Sequence, residues 1–207
     1  TTEFLWQEGH TLHATAEEGR EETLKMLGVY RDFSEEVLAM PVLHGQKSDS
    51  EKFAGAASTY AIEALMGDGK ALQAGTSHDL GQHFSEAYGI EFLDKDQTRK
   101  RPWSTSWGTS TRMLGGMVMC HGDDSGLVLP PRVAPHQVVI VPIPPRKGDW
   151  NEAVLPKARE VEAALRSAGV RVRLDDRDQF QPGFKYSDWE MRGVPLRLEL
   201  GPKDIEK

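Results

Sequence analysis

LVLPPRVAPHQVVIVPIPP, residues 127–145, divides the chain in two. Pro130, Pro131 and Pro135 interrupt regular structure, and the apolar run from Gln137 to Ile143 then reads as a strand. The residues beyond it share one texture. EAVLPKAREVEAALRSAG (152–169) carries helical periodicity and ends on Gly169, a C-terminal stop. VRVRLDD (170–176) is a second strand, DQFQPGFKYSDWEMRG (178–193) a loop and short helix, and VPLRLEL (194–200) a third strand. Strand, helix, strand, helix, strand predicts a small α/β unit with right-handed crossovers, its sheet of about three strands open to further members. The boundary falls near Val133 to Pro135, giving units 1–134 and 135–207.

Upstream the pattern changes. In TAEEGREETLKMLGVYRDFSEEVLAMP (15–41), Thr15 and Glu18 form a capping box. Leu24, Leu27, Tyr30, Phe33, Val37 and Leu38 recur at helical spacing, and Pro41 is a stop. STYAIEALMGDGKALQAG (58–75) reads as a hairpin around Asp68-Gly69, a dipeptide suited to positive φ. TSHDLGQHFSEAYGIEF (76–92) reads as a loop into a short helix and a strand. STRMLGGMVMCHGDDSG (110–126) places Leu114, Met117 and Val118 on one helix face, with Arg112 in the first turn.

Composition narrows the function classes. At 207 residues, 38% hydrophobic and 28% charged, the chain is of ordinary globular make-up. No apolar run approaches the roughly 20 residues of a membrane-spanning helix, and a secretory leader is not apparent. The lone Cys120 excludes a disulfide framework or a cysteine zinc cluster within this sequence, so a reducing compartment, the cytoplasm, is expected. A net charge of −7 argues against sequence-blind coating of nucleic acid. The exception is KDQTRKR (95–101), a solvated loop on the plain reading and an RNA-facing patch on the other.

Several clusters could carry chemistry. His10 and His13 in HTLH, and His78, Asp79 and His83 in SHDLGQH, are of metal-binding type but without a helical context or an evident third ligand. Phe4, Trp6 and Trp107, as aromatics in an unassigned strand, fit a core more readily than a site. A helix start preceded by GTST and carrying Arg112 offers N–H groups, hydroxyls and a guanidinium to a phosphate. The aromatic and acidic EFLW (3–6) suits a purine.

Five blocks, in order, carry a resemblance: EFLWQEGHTLHAT (3–15), KFAGA (52–56), QAGTSHDLGQHF (73–84), SWGTSTRMLGGMVMCHGDDSGLVLPPRVAPHQVVIVPI (106–143) and WEMRGVPLRLELGP (189–202). Together they resemble prolyl-tRNA synthetases of the archaeal and eukaryotic-like type, class II aminoacyl-tRNA synthetases. EFLWQEGH is similar to the later part of motif 2, GTSTRMLGG to motif 3, and the stretch from 135 onward to a class IIa anticodon-binding domain. The resemblance implies an α+β / α/β fold: part of a class II antiparallel sheet with helices, then a small α/β anticodon-binding domain with a mixed sheet. It also implies ATP-dependent formation of prolyl-adenylate and transfer of proline to tRNA(Pro), with ATP and Mg2+ required, a homodimeric parent enzyme, and neither membrane nor DNA as partner.

The resemblance also implies roles, position by position. Phe4 would stack on adenine with Thr1 beside the nucleotide; Arg112 would grip the γ-phosphate with Ser110 close by; Gln73 and Thr76 would meet the nucleotide, Gln73 also near the magnesium. Trp6, Glu8, His10, Phe53 and His78 would line the proline pocket. Asp79 and His83 depart from the family pattern, which expects an apolar or aromatic residue and an asparagine there. Motif 1, the first half of motif 2 with its α-phosphate arginine, and the C-terminal zinc domain are not in this sequence, so the expectation is an internal segment that does not form prolyl-adenylate alone. Between His10 and Gln73 one helix, a loop and a hairpin use the available residues, so no editing domain of roughly 50 residues fits, and some alanyl-adenylate formation is expected of the parent enzyme. In the second unit Arg177 and Lys185 are expected at RNA phosphates and Phe180 or Phe184 at an unpaired base, or else the aromatics anchor their loop; Arg171 and Arg173 could serve either role. The rival classes are a non-catalytic tRNA-binding protein derived from a synthetase and a metal-dependent hydrolase.

Overall fold

A computed structural model describes residues 2–145 and 154–205, which form two compact units, 1–120 and 121–207. Thr1, and Glu152 and Ala153 of the helix expected over 152–169, lie outside the described residues.

The first unit is built on a five-stranded antiparallel sheet. Its strands are β1 (Trp6–His13), β2 (Val42–Gln46), β3 (Ser58–Leu65), β4 (Ala71–Gly81) and, after the two-residue strands β5 (Phe92–Leu93) and β6 (Arg99–Lys100), β7 (Trp103–Ser110), in spatial order β1-β7-β4-β3-β2. Helix α1 (Ala16–Asp32) packs on one face. Its capping is close to the expected box: the Thr15 hydroxyl accepts from the Glu18 N–H at 3.2 Å, while the Glu18 carboxylate accepts from Ala14, one residue before the cap. The helix passes into a π-helical turn, Phe33–Val37, and ends at Leu38, before Pro41. Its buried stripe is Gly19, Thr23, Leu27 and Tyr30, continued by Ser34 and Leu38; Leu24 and Phe33, assigned to that stripe from spacing alone, point to solvent. Small residues win positions 19 and 23 because the helix lies close on the sheet. A Cβ on Gly19 would sit 3.6 Å from Trp103, and the Thr23 carbonyl accepts from Ser77 at 2.8 Å.

The hairpin expected around Asp68-Gly69 is present as β3 and β4, with Gly69 at φ +79°. TSHDLG, however, is no loop: β4 runs on to Gly81, because it is the middle strand, hydrogen-bonded to β3 and β7 on its two edges. Pairing on both edges overrides the low strand propensity of Gly, Ser, His and Asp. Helix α2 (His83–Tyr88) comes next. Helix α3 (Arg112–His121) buries Met113, Gly116 and Met117; Leu114 and Val118, expected on its inner face, are exposed. Gly116 sets this rotation, since its missing side chain admits Leu72 and Met40, whose atoms lie 3.1 and 3.3 Å from an ideal Cβ.

The second unit has the expected strand and helix order. Strands β8 (Val138–Pro142), β9 (Val172–Leu174) and β10 (Leu196–Leu200) alternate with α4 (Leu155–Ser167) and α5 (Pro182–Met191), and α6 (Pro202–Ile205) closes the described chain. The order is β10-β8-β9 and both pairings are parallel, so among the described residues the sheet is parallel rather than mixed. Every residue of central β8 is buried. Val138 and Ile140 pack with Leu155 and Ala158 of α4, while Val139 and Val141 pack with Trp189 of α5. The two crossovers run in opposite directions along the sheet and use opposite faces, as two connections of one hand must. Residues 126–134 are tied into this unit. A Cβ on Gly193 would lie 2.7 Å from the Leu127 carbonyl oxygen, and the Arg171 guanidinium donates to the carbonyls of Pro131, Arg132 and Ala134. Arg171 is therefore a clamp on the proline-rich stretch.

Two substitutions probe these cores. Gly9 lies opposite Trp107 across β1 and β7, and a Cβ there would stand 2.3 Å from the indole. Gly9→Ala is expected to lower stability by about 1–3 kcal/mol in urea unfolding, as overpacking does. In the second unit the buried Asp175 carboxylate receives Arg177 at 2.7 Å and the Trp189 indole N–H at 2.7 Å. Asp175→Asn is expected to cost about 3 kcal/mol or more, because the buried Lys185 ammonium then loses its counter-charge; an unchanged unfolding midpoint would disprove the assignment.

Candidate active site

Strand alternation divides the first sheet into two faces. On β1 the even residues Trp6, Glu8, His10 and Leu12 share a face, and the register carries it to Ser110, Gly108, Ser106 and Ser104 of β7. From β7 the same face passes to Thr76 and His78 of β4, and from β4 to Ala61 and Thr59 of β3. The other face receives α1: Tyr30 donates to Gln7 at 2.6 Å, and its hydroxyl, pushed up to about 12 by burial, stays a donor.

Gln73 and Thr76 are three residues apart, which strict alternation would put on opposite faces. A bulge corrects the phase. The register steps from Ile62 opposite Gly75 to Glu63 opposite Gln73, leaving Ala74 without a partner on β3, so Gln73 rejoins the face of Thr76. The Thr109 hydroxyl fixes the extra residue by donating to the Ala74 carbonyl at 2.8 Å. Gly75 faces α1, where an ideal Cβ would lie 3.2 Å from the Tyr30 ring.

Two of the depressions on the open face gather these residues. One, of about 180 Å³, is lined by Phe4, Trp6, Gln73, Thr76, Ser110 and Arg112 together with the backbone of Ala74 to Gly75 and Gly108 to Thr109. Phe4 and Trp6 are 59% and 57% exposed, so they are walls and not core; their rings meet edge-on at 6.0 Å. Arg112 opens α3, its N–H donating to the Ser110 hydroxyl at 3.2 Å. A guanidinium at the positive end of a ten-residue helix favours an anion there. The second depression, of about 740 Å³, is mainly apolar and has Glu8, His10 and Phe53 in its wall with Leu80, Phe84 and Tyr88. Glu8 and His10 approach to 3.4 Å. His78 stands between the two depressions along β4, its ring 5.2 Å from that of Phe53. Burial lowers the affinity of His78 for a proton; the Glu8 charge opposes this and Lys47 adds to it, and the net direction is downward.

The sequence-derived site residues thus come together: Phe4, Gln73, Thr76, Ser110 and Arg112 around the first depression with Trp6, and Glu8, His10, Phe53 and His78 around or beside the second. Thr59 was missed. It lies nine residues before Asp68 as His78 lies nine after Gly69, so the hairpin turn itself held the signal. The histidine pair does not converge: His10 and His13 project from opposite faces of β1, and among the described residues no three His, Cys, Asp or Glu are grouped to hold a metal ion. The basic loop is internally matched, with Lys100 paired to Asp94 and Asp96, Arg99 to Glu91 and Arg101 to Glu86. This leaves little of the RNA-facing patch.

The candidate RNA contacts of the second unit are redistributed in the same way. Lys185 is 2% exposed, its ammonium donating to the Asp175 carbonyl at 3.0 Å, and burial lowers its proton affinity against the pull of Asp175. Arg177 donates to both Asp175 and Asp188. Burial pushes the Asp175 carboxyl up, but hydrogen bonds from Arg177 and Trp189 and the Lys185 charge outweigh it and hold the group below the usual range. Lys185 is thus a buried tie and not a surface phosphate contact, and Arg177, half-buried, is tied to two carboxylates. Phe180 and Phe184, the latter in the first turn of α5, stack at 4.5 Å, with Arg177 5.0 Å over the Phe180 ring, and of the two rings that of Phe184 is the more exposed.

Comparison with known proteins places these observations beside a group of similar chains. Residues 137–207 match the anticodon binding domain family. Proline–tRNA ligase 2 of Clostridioides difficile is 60% identical over 206 residues, covering 100% of this chain, and the proline–tRNA ligase of Alkaliphilus oremlandii matches equally, at 60% over 206 residues. The chain is similar over its full length to these proline–tRNA ligases. It spans 42% of the length of those two relatives. Among solved structures, prolyl-tRNA synthetase from Cryptosporidium parvum complexed with L-proline and AMP superposes with a TM-score of 0.93 at 50% identity, covering 98% of this chain and 44% of that one. The same enzyme complexed with halofuginone and AMPPNP gives 0.95 at 50% identity, covering 99% and 42%. The antiparallel sheet and the parallel-sheet unit of this chain match the fold of those structures over the aligned span.

The His78 shift has a testable sign. Its folded proton affinity is depressed, so the unfolded chain binds the proton first; the stability that neutral His78 supports is present above the unfolded value of about 6.5 and is lost as pH falls below it. The midpoint of urea unfolding is expected to fall between about pH 7.5 and pH 5.5, and less steeply in His78→Gln. Equal slopes in the two proteins would reject the assignment.

Proposed function

We propose that this chain carries the ATP- and proline-binding face and the anticodon-binding unit of a proline–tRNA ligase. The observation that supports it most is the gathering of Phe4, Gln73, Thr76, Ser110 and Arg112 around one depression, next to another bordered by Glu8, His10 and Phe53. Adenine would lie on the Phe4 ring, with Thr1 beside the nucleotide, and the γ-phosphate would sit at the start of α3 under the Arg112 guanidinium. Proline would lie against Trp6 and Phe53, its charged imino group answered by Glu8. Mg2+ would be held mainly by phosphate oxygens, and the Gln73 amide oxygen is the ligand this chain offers; a neutral oxygen donor suits a hard cation.

The chemistry requires little covalent work from the protein. The proline carboxylate oxygen attacks the α-phosphorus and pyrophosphate leaves; a hydroxyl of the 3′-terminal adenosine of tRNA(Pro) then attacks the prolyl carbonyl and AMP leaves. What the open face supplies is alignment and positive potential where charge develops. The second unit would read the anticodon, with the exposed Phe184 stacked on an unpaired base and backed by Phe180. The whole enzyme would act in the cytoplasm as a homodimer. A pocket of this apolar kind rejects alanine weakly, which fits some alanyl-adenylate formation.

The nucleotide half of the reading is testable on this chain. AMPPNP added to the protein is expected to quench Trp6 fluorescence, with L-proline tightening the binding. Arg112→Ala should weaken AMPPNP binding about tenfold or more, the loss of one or two hydrogen bonds to a charged group. Binding that is absent in the wild type, or the same in Arg112→Ala, would refute the assignment.

A further inference from the structure

Thr59 is 2% exposed in the middle of β3, yet its hydroxyl serves two residues of the candidate amino-acid subsite. It accepts from the Phe53 N–H at 3.0 Å and meets His78 Nδ1 at 2.9 Å. Among the described residues the hydroxyl has no third partner. Counting protons then gives the direction of the second bond. A backbone N–H can only donate, so one lone pair of the Thr59 oxygen is taken by Phe53. If His78 Nδ1 also donated, the hydroxyl hydrogen would be buried with no acceptor, the arrangement that folded proteins avoid. With the hydroxyl donating to Nδ1 instead, every proton has a partner, and the imidazole carries its single proton on Nε2.

We propose that Thr59 is a positioning residue for this subsite: tethered by the Phe53 amide, its hydroxyl donates to His78 Nδ1 and holds the ring as the Nε2–H tautomer, a fixed hydrogen-bond donor to the amino-acid substrate. The proposal rests on reading this face as the proline subsite, and it deepens that reading. A donor at His78 cannot meet a protonated imino nitrogen. It therefore takes an acceptor, a carboxylate or carbonyl oxygen of the amino acid, while Glu8, the carboxylate on the same sheet face, takes the cation. The two ends of the substrate are told apart by one donor and one acceptor. The same hydroxyl couples ring to wall, because Phe53, in contact with the His78 ring, hangs from it by its backbone N–H. Burial favours a neutral imidazole; the Glu8 charge opposes it and Lys47, whose backbone N–H donates to the Thr59 carbonyl at 2.8 Å, supports it, and the net direction is toward the neutral ring.

The test reads the tautomer directly. In the full chain with 15N-labelled histidine, the His78 signals are assigned by their absence from His78→Gln, and long-range nitrogen–proton correlations at about pH 7.5 report which ring nitrogen is bare. The wild type is expected to show Nδ1 bare and Nε2 protonated. Thr59→Val should lose that bias and weaken L-proline binding about tenfold, while Thr59→Ser, which keeps the hydroxyl, should retain the tautomer and bind within about twofold of the wild type. Wild-type His78 protonated on Nδ1 would overturn the proposal even if Thr59→Val fails to fold. So would a Thr59→Val protein with an unchanged tautomer, or one with a changed tautomer and undiminished proline affinity. Failure of the wild type to bind proline at all, with the tautomer as stated, would instead overturn the substrate reading and with it the donor role, leaving only the tautomer assignment.

Discussion

Helix α1 is pinned to the sheet by the Tyr30 hydroxyl on Gln7 and by the Thr23 carbonyl that accepts from Ser77. With one face of β1, β7, β4 and β3 closed in this way, every second side chain of those strands is committed to the core, and the alternate set must face outward. The outward set includes polar, aromatic and charged side chains, while the inner set, with Gln7, Gly75 and Ser77 among it, meets the helix. Ser77 and Ile62 go under the helix, while Thr76, His78, Glu8 and Trp6 go to the open side. The candidate site is thus the complement of the core, and most of its residues stand on strands, with Phe4 and Phe53 added from the segments beside them. Rigid strands fix side-chain positions better than loops do, which suits a reaction that depends on alignment.

The second unit solves a different problem. Its central strand is buried on both faces, so it has no open side to present, and recognition must come from the ends of its elements. Asp175 stands at such an end, just after β9. Its carboxylate gathers Arg177 and Trp189, and the Lys185 ammonium sits on its carbonyl, so that the start of α5 and the preceding loop are held to the sheet. Cations that a linear reading assigns to RNA are drawn inward to serve this anchor, and the stacked phenylalanines are left at the surface.

Much of this was legible in the sequence, and the failures have physical causes. Periodicity located α1 but misassigned Leu24 and Phe33, because a buried stripe can be made of Gly19 and Thr23 when the helix must lie close to a sheet. The stretch TSHDLG looked like a loop because of its glycines and polar cluster; it became the middle strand because both its edges find partners. Leu114 and Val118 looked internal by hydrophobicity, yet Gly116 marks the contacting face of α3. For the site, the blocks of sequence that resemble synthetases marked the residues individually, but Thr59 belongs to no such block and emerges only from cross-strand register. Arg177 and Lys185 were judged by charge alone, whereas their partners lie two and ten residues away from them along the chain, at Asp175.

The unpaired Ala74 carries a consequence of another kind. Two side chains of the nucleotide depression come from β4, and at a separation of three they agree in direction only because the bulge takes up one surplus residue between them. Strand register, as much as side-chain identity, therefore encodes this site. A homologue that kept all four letters but paired them without the bulge would lose the arrangement, with one of the pair turned beneath α1, whereas one that lacked the surplus residue would return both side chains to one face by plain alternation. An insertion or deletion in the hairpin outside that interval would leave the pair in phase. The four letters QAGT work as a unit of spacing, and a substitution table that scores each position alone does not see it.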